Sequence, residues 1–295
     1  MDTASDTERG TSSACSSPSM ARKMNNNKIR KRIVKFFFVF TSSPVIDANG
    51  QASSDKRMIN ASRKFDTDVE ESIDDNAVAL LCLPDGVTVF NVPVDPKFHF
   101  FVITKQDGTR IYGSALIVWE RVKEVTAPGR RISIRDNKYA SKAFCLLTSI
   151  PFMAATKKML VYFWKCGCEP CVVDTVCNLK LPSKGKAIRI RLPPLPGASL
   201  YDVDRDTFGF AASELNEIFV YRGLSELPLF DYPLRELFAE VLSPDKFFQA
   251  FAALLLEYQV LVMSTDYAKL MLVAETLVSL LLPFKWQHVV SRIRA

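Results

Sequence analysis

The sequence offers two imidazoles to acid–base or nucleophilic chemistry, His99 and His288, and neither lies beside a recognisable nucleophile motif. His99 sits inside a run of strand-forming residues, where a hydrogen-bonded structural ring is the expected role. Neither G-x-x-x-x-G-K-S/T nor G-x-G-x-x-G occurs, and the 11 glycines are spread among turns. Phosphate cradles of the usual glycine-rich kind are therefore lacking, which sets aside phosphoryl transfer and dinucleotide chemistry. No cofactor is implied. Cys166, Cys168, Cys171 and Cys177 fall within a dozen residues. Four thiolates can hold zinc in a tetrahedral site. The C-x-C-x2-C-x5-C spacing, however, does not supply ligand pairs from separate knuckles, and free thiols in a cysteine-rich linker are the competing reading. Arg130-Arg131-Ile132-Ser133 places a hydroxyl behind two arginines in a polar stretch, so Ser133 is a candidate acceptor for a basophilic kinase. With no covalent machinery in view, the chain is expected to work by binding.

The elements that would position a binding surface have ample material. The 295 residues suffice for two ordinary domains, and 48% of them are hydrophobic, with 21 Phe. Seven cysteines without a secretory pattern fit a reducing compartment. The net charge of +6 is local: Arg22, Lys23, Lys28, Arg30, Lys31, Arg32 and Lys35 carry seven positive charges with no acid between them. Without that arm the rest stands at about −1, which argues against a nucleic-acid-binding face. The arm runs into Phe36-Phe37-Phe38-Val39-Phe40, too short and too late for a signal peptide. The apolar stretches 250–264 and 270–282 carry Glu257 and Glu275 and fall short of the roughly 20 residues a membrane span needs. A cytoplasmic location is expected, with the arm touching anionic membrane from outside.

Along the chain, residues 1–32 read as a disordered basic arm and 33–41 as a first strand. The acidic run Asp66, Asp68, Glu70, Glu71, Asp74 and Asp75 reads as a solvated loop. Residues 77–83, 98–104 and 109–120 follow as three strand signals. The last two are joined through Asp107-Gly108, a strong hairpin signature because Gly accepts the positive φ of the turn. A polar, basic loop at 127–138 leads to a fourth apolar run, 143–148. Pro151 then opens a helix in which Phe152, Ala155, Met159 and Phe163 recur at helical spacing. The first domain thus reads as an antiparallel meander closed by a helix, an α+β arrangement. Residues 165–226, rich in proline, read as a connector with short strands such as 187–192. Ser243-Pro244-Asp245 starts a helix, 260–263 gives a short strand signal, and Ser264-Thr265-Asp266 caps a helix over 267–282. Helix–strand–helix points to a second, α/β domain.

Several strings, in order, resemble a known family. Ala79-Leu80-Leu81-Cys82-Leu83-Pro84-Asp85-Gly86, then Phe98-His99-Phe100-Phe101-Val102-Ile103-Thr104 and Asp107-Gly108-Thr109-Arg110-Ile111-Tyr112-Gly113, look like the upstream part of a DENN domain. Tyr139-Ala140-Ser141-Lys142 and Cys145-Leu146-Leu147-Thr148 continue the pattern. Leu227-Pro228-Leu229-Phe230-Asp231-Tyr232-Pro233, Leu254-Leu255-Leu256-Glu257, Val273-Ala274-Glu275-Thr276 and Leu282-Pro283-Phe284-Lys285-Trp286-Gln287-His288 resemble its central region. The closest resemblance is to the subfamily that also carries RUN and PLAT domains.

That resemblance implies a longin-like antiparallel sheet module over 33–178, a connector over 179–226 and a partial doubly wound α/β lobe over 227–295. It implies a guanine-nucleotide exchange factor for a Rab small GTPase in vesicle trafficking, peripheral on Golgi or endosomal membranes. The alternative is a longin-like trafficking adaptor that binds a GTPase without exchange. Asp231, Glu257, Ser264 and Glu275 are the candidates for the GTPase interface, Glu257 at the unfavourable C-terminal end of a helix dipole. The string after Val289-Val290 departs from the family, so a truncated lobe is expected. Its helical stripes (Phe247, Phe251, Leu254, Leu270, Ala274, Leu277 and Leu281) should then lack a sheet to cover them and leave 228–295 molten.

Overall fold

The computed structural model describes residues 32–42, 59–66, 73–105, 107–122, 124–127, 130–133, 138–195, 208–224, 227, 231, 233–284 and 286. Strand β1 (Val34–Ser42) pairs antiparallel with β2 (Ile59–Asp66). β1 is apolar from Phe36 to Phe40 because both of its faces are covered there: Phe36, Phe38 and Phe40 enter one core, Phe37 and Val39 the other.

The segment read as a strand at 77–83 is helix α1 (Asp75–Cys82). An apolar run this short does not reveal its period, and capping decides it. Asp74 is the N-cap, its carboxylate accepting from the Asn76 N–H at 3.0 Å. Val78, Ala79 and Cys82 then fall on one helical face and bury against the Phe36 side of the sheet, while Leu80 faces solvent.

Strands β3 (Val89–Phe90), β4 (Lys97–Thr104), β5 (Arg110–Arg121), β6 (Glu124–Ala127), β7 (Arg130–Ser133) and β8 (Tyr139–Thr148) follow. The expected β4–β5 hairpin is present. Gly108 has φ +79°, its N–H reaches the Lys105 carbonyl at 3.0 Å, and Asp107 accepts from the Thr109 N–H at 2.8 Å. The expected loop at 127–138 holds part of a second hairpin, β6–β7. The main sheet runs β2-β1-β8-β5-β4, with β3 also on β8. It is antiparallel but not a meander, because the late strand β8 inserts between β1 and β5.

Helix α2 (Met153–Lys165) covers the second face, followed by α3 (Pro170–Cys177). Next come β9 (Ala187–Arg191), the short α4 (Ala212–Leu215) and β10 (Glu217–Tyr221); β9 and β10 pair antiparallel. Their side chains complete the α2-side core: Val172, Val176, Ile190, Ile218 and Val220 join Phe37, Leu116, Leu146, Met159 and Phe163.

The last portion comprises α5 (Leu234–Glu236), a π-helical turn (Leu237–Val241), α6 (Pro244–Leu255) and α7 (Tyr267–Leu280). Ser243 occupies the N-cap of α6 with Pro244 at N1, as expected, though its hydroxyl makes no capping bond. Asp266 caps α7 through the Ala268 N–H at 2.8 Å. The segment at 260–263, expected as a strand, has no regular secondary structure and no partner strand among the described residues. Val260 and Val262 turn inward, Leu261 and Met263 outward, so the alternation is real but no ladder forms. Residues 287–290 lie outside the described set, and no strand is found among the described residues of 227–286.

The helical stripes do find cover. Phe247, Leu254, Leu270, Leu277 and Leu281 are buried and Phe251 and Ala274 half-buried. What covers them is the β4 edge of the first sheet: Phe100 of β4 and Met153 of α2 belong to the same cluster as Phe247, Met271, Leu272 and Leu277.

Gly113 on β5 lies beneath the Phe101 ring, and a Cβ built there would come within 2.2 Å of two ring carbons. Gly113→Ala is expected to destabilise the chain by about 1–3 kcal/mol through overpacking, read as a lowered urea midpoint. Phe101→Leu in the same background should restore part of the loss.

Candidate functional site

Four of the candidate residues divide into two pairs, one of them at the seam where the helical portion meets the rest of the body. Glu275 and Asp231 face inward. The β4–β5 turn fixes the pairing Thr104↔Arg110, which places Arg110 at the start of β5 beside α7. Its Nη2 donates to Glu275 Oε1 at 2.5 Å. Glu275 is 1% exposed and the guanidinium lies over the Tyr112 ring, 5.6 Å from its centroid. Burial holds the Tyr112 hydroxyl above its ordinary range, opposed by the adjacent Arg110 charge. Enclosed in this way, Glu275 ties α7 to β5.

Asp231 makes the second tie. Phe152, at the N-cap of α2, has no side-chain acceptor, and the Asp231 carboxylate takes its place. It accepts from the Ala154 and Ala155 N–H groups at 3.1 and 3.2 Å. Burial pushes its pKa up to about 6, against the lowering effect of those two donors.

Glu257 and Ser264 bracket a segment that faces outward. Glu257 lies just beyond α6, at φ +59°. Its N–H reaches the Leu254 carbonyl at 3.0 Å and the Tyr258 N–H reaches Ala253 at 2.9 Å, the paired bonds of a Schellman ending in which glycine is usual. Its carboxylate is exposed. Ser264 is half-buried, and its Oγ accepts from the Asp266 N–H at 3.0 Å, so it helps shape the entry to α7. Between them Tyr258, Leu261 and Met263 are each 64% exposed, and Phe248 on α6 is equally so.

The other candidates are scattered. His99 is buried, its Nε2 2.9 Å from the Leu81 carbonyl, in agreement with a structural ring; His288 lies outside the described residues. Ser133 ends β7, and its side chain is outside the described set. Cys166 is half-buried, Cys168 buried at φ +56°, Cys171 exposed and Cys177 buried. Burial pushes the Cys177 thiol up to about 12. Among the described residues no group of three or more His, Cys, Asp or Glu side chains is placed to hold a metal ion. Nor is any described helix long and apolar enough to cross a membrane. Arg110 was visible beforehand only as part of the hairpin string; nothing local announces a partner 165 residues away.

The described residues form a mixed α/β body with an antiparallel main sheet and several helices. The sequence matches the DENN (AEX-3) domain over residues 139–290 and the uDENN domain over residues 66–118. The chain belongs to the DENN domain family. Similar proteins include the DENN domain and WD repeat-containing protein SCD1 of Arabidopsis thaliana, 27% identical over 203 residues, which span 66% of this chain and 15% of that protein. DENN domain-containing protein 3 of Mus musculus is 25% identical over 232 residues, 76% of this chain and 17% of that protein. The chain thus spans about a sixth of the length of the curated relatives it matches.

Two outcomes follow from the seam. Arg110→Ala leaves the Glu275 carboxylate buried without its cation and should cost about 3–5 kcal/mol in urea unfolding. Arg110→Met with Glu275→Met should recover most of that loss. For Asp231 the folded pKa of about 6 lies above the usual carboxylate value. Its contribution is therefore complete below pH ~4 and lost as pH rises through 6. Asp231→Asn, neutral throughout, should gain stability relative to the parent chain between pH 4 and 7, with no further change above pH 7.

Proposed function

We propose that this chain is a Rab-binding module of the DENN type that promotes release of GDP. DENN domains generally act as exchange factors for Rab GTPases, and family membership is the observation that carries the reading. The physical requirement is modest. A protein that binds the nucleotide-free GTPase more tightly than the nucleotide-bound form lowers nucleotide affinity by the same factor, with no acid, base or metal of its own. The surface we assign to the GTPase is the outward segment 257–264 with the neighbouring face of α6. Aromatic and Met side chains beside a carboxylate suit a protein contact. Asp231 and Glu275 act in this scheme as positioning residues that hold the segment's frame. We further propose that the basic arm before β1 tethers the chain to anionic membrane, each cation contributing on the order of 1 kcal/mol at low salt.

Candidate Rabs loaded with fluorescent GDP should release it faster in the presence of this chain. Binding without acceleration would assign the adaptor role instead, and no binding to any Rab would overturn the reading. Glu257→Gly separates interface from fold. Glycine relieves the positive φ and should leave stability unchanged or raised by up to about 1 kcal/mol, while loss of the carboxylate weakens Rab binding. Removal of residues 1–32 should abolish co-sedimentation with anionic vesicles and leave Rab binding unchanged.

A further inference from the structure

Lys157 on α2 places its ammonium over three aromatic rings drawn from two separate parts of the chain. The Nζ lies 5.8 Å from the Phe98 centroid on β4, 5.5 Å from Phe208 and 5.7 Å from Phe210. Among the described residues, neighbouring Lys158 lies over Phe210 alone, at 5.4 Å. Lys157 and the three rings are all half-buried, where an ammonium gains more from a ring face than it does in open water. Three rings around one ammonium form an aromatic cage, and here the cation it holds belongs to the same chain.

The position of this cage gives it a consequence. Phe98 packs against both the α2-side core and the core of the helical portion, and meets Phe100 edge to face at 4.6 Å. Residues 208–210 lead into α4, where Glu214 reaches back to the Ala211 N–H, and then into β10, whose Ile218 and Val220 are core residues. Phe208 and Phe210 pack against the α2-side core, so a single charge meets both rings of the 208–210 strap and Phe98, the residue shared by the two cores.

We propose that Lys157 is a charge-dependent clasp holding residues 208–210 over Phe98, and a modification site at which acylation opens it. In that step the amine, having lost a proton, attacks the carbonyl carbon of an acyl thioester. The N–C bond forms as the C–S bond breaks, and the departing thiol carries the second proton. The resulting amide is neutral and has no charge to offer the ring faces. Lys158, over one ring, does not replace it. Opening the clasp uncovers Phe98 at the seam without disturbing the main sheet.

Hydrogen exchange on the full chain tests this, with acetyl-lysine incorporated at position 157. Amides of 208–216 should exchange about tenfold faster than in the unmodified chain. Lys157→Arg, which keeps the charge, should retain the original protection, and Lys158→Gln should have a smaller effect than acetylation of Lys157. Amides of β8 should be unchanged in all three. Equal exchange of 208–216 with and without the acetyl group would overturn the proposal. So would opening by Lys157→Arg to the same extent, or loss of protection in β8 as well, which would make Lys157 a support of the whole fold.

Discussion

A carboxylate taken almost wholly out of water is stable in this fold because one guanidinium reaches it. Burying either ion alone costs several kcal/mol, and their attraction offsets that cost only when the geometry is good. The geometry between Arg110 and Glu275 originates in five residues of turn: Asp107 and Gly108 close the hairpin, the hairpin sets the register of β5, and the register delivers Arg110 to α7. The apolar contacts around it, Phe100 and Met153 against Leu272 and Leu277, supply non-directional attraction and would accept α7 in several positions. The ion pair selects one.

Asp231 repeats this logic at α2, where a carboxylate from outside the helix satisfies two N–H groups that the local sequence leaves without acceptors. Two polar ties therefore anchor the helical portion, one at strand β5 and one at helix α2, and the segment between α6 and α7 follows from that frame. This division between a fixed scaffold and a displayed loop is how binding proteins commonly present a recognition surface. It also accounts for the uneven fate of the family motifs. The acids in two of them are consumed in holding the body together, and the acid in a third, Glu257, stays in solvent at a backbone conformation that an L-residue adopts at some cost.

What was legible in the sequence was legible for local reasons. The phenylalanine-rich β1, the Asp-Gly hairpin, the proline-led start of α6 and the Asp266 cap of α7 each depend on residues within a few positions of one another, and each was found close to its expected place. The run at 77–83 failed because its pattern is too short to show a period, and the deciding residue, Asp74, lay within an acidic stretch that read as loop. The alternation at 260–263 failed in the opposite sense: the pattern is present, but a strand needs a neighbour to accept its hydrogen bonds.

The sequence alone therefore determined the family, most of the elements and the absence of the usual phosphate-binding loops, since turn chemistry, capping and hydrophobic period are properties of neighbouring residues. Tertiary structure alone decided the insertion of β8 between β1 and β5, and the cover that β4 gives to α7. It also decided the pairing of Arg110 with Glu275 and the enclosure of Lys157 by rings from β4 and the 208–210 strap. Each of these joins groups separated by tens of residues or more. Their meeting is fixed by which apolar faces can be buried together, and no local pattern records that choice.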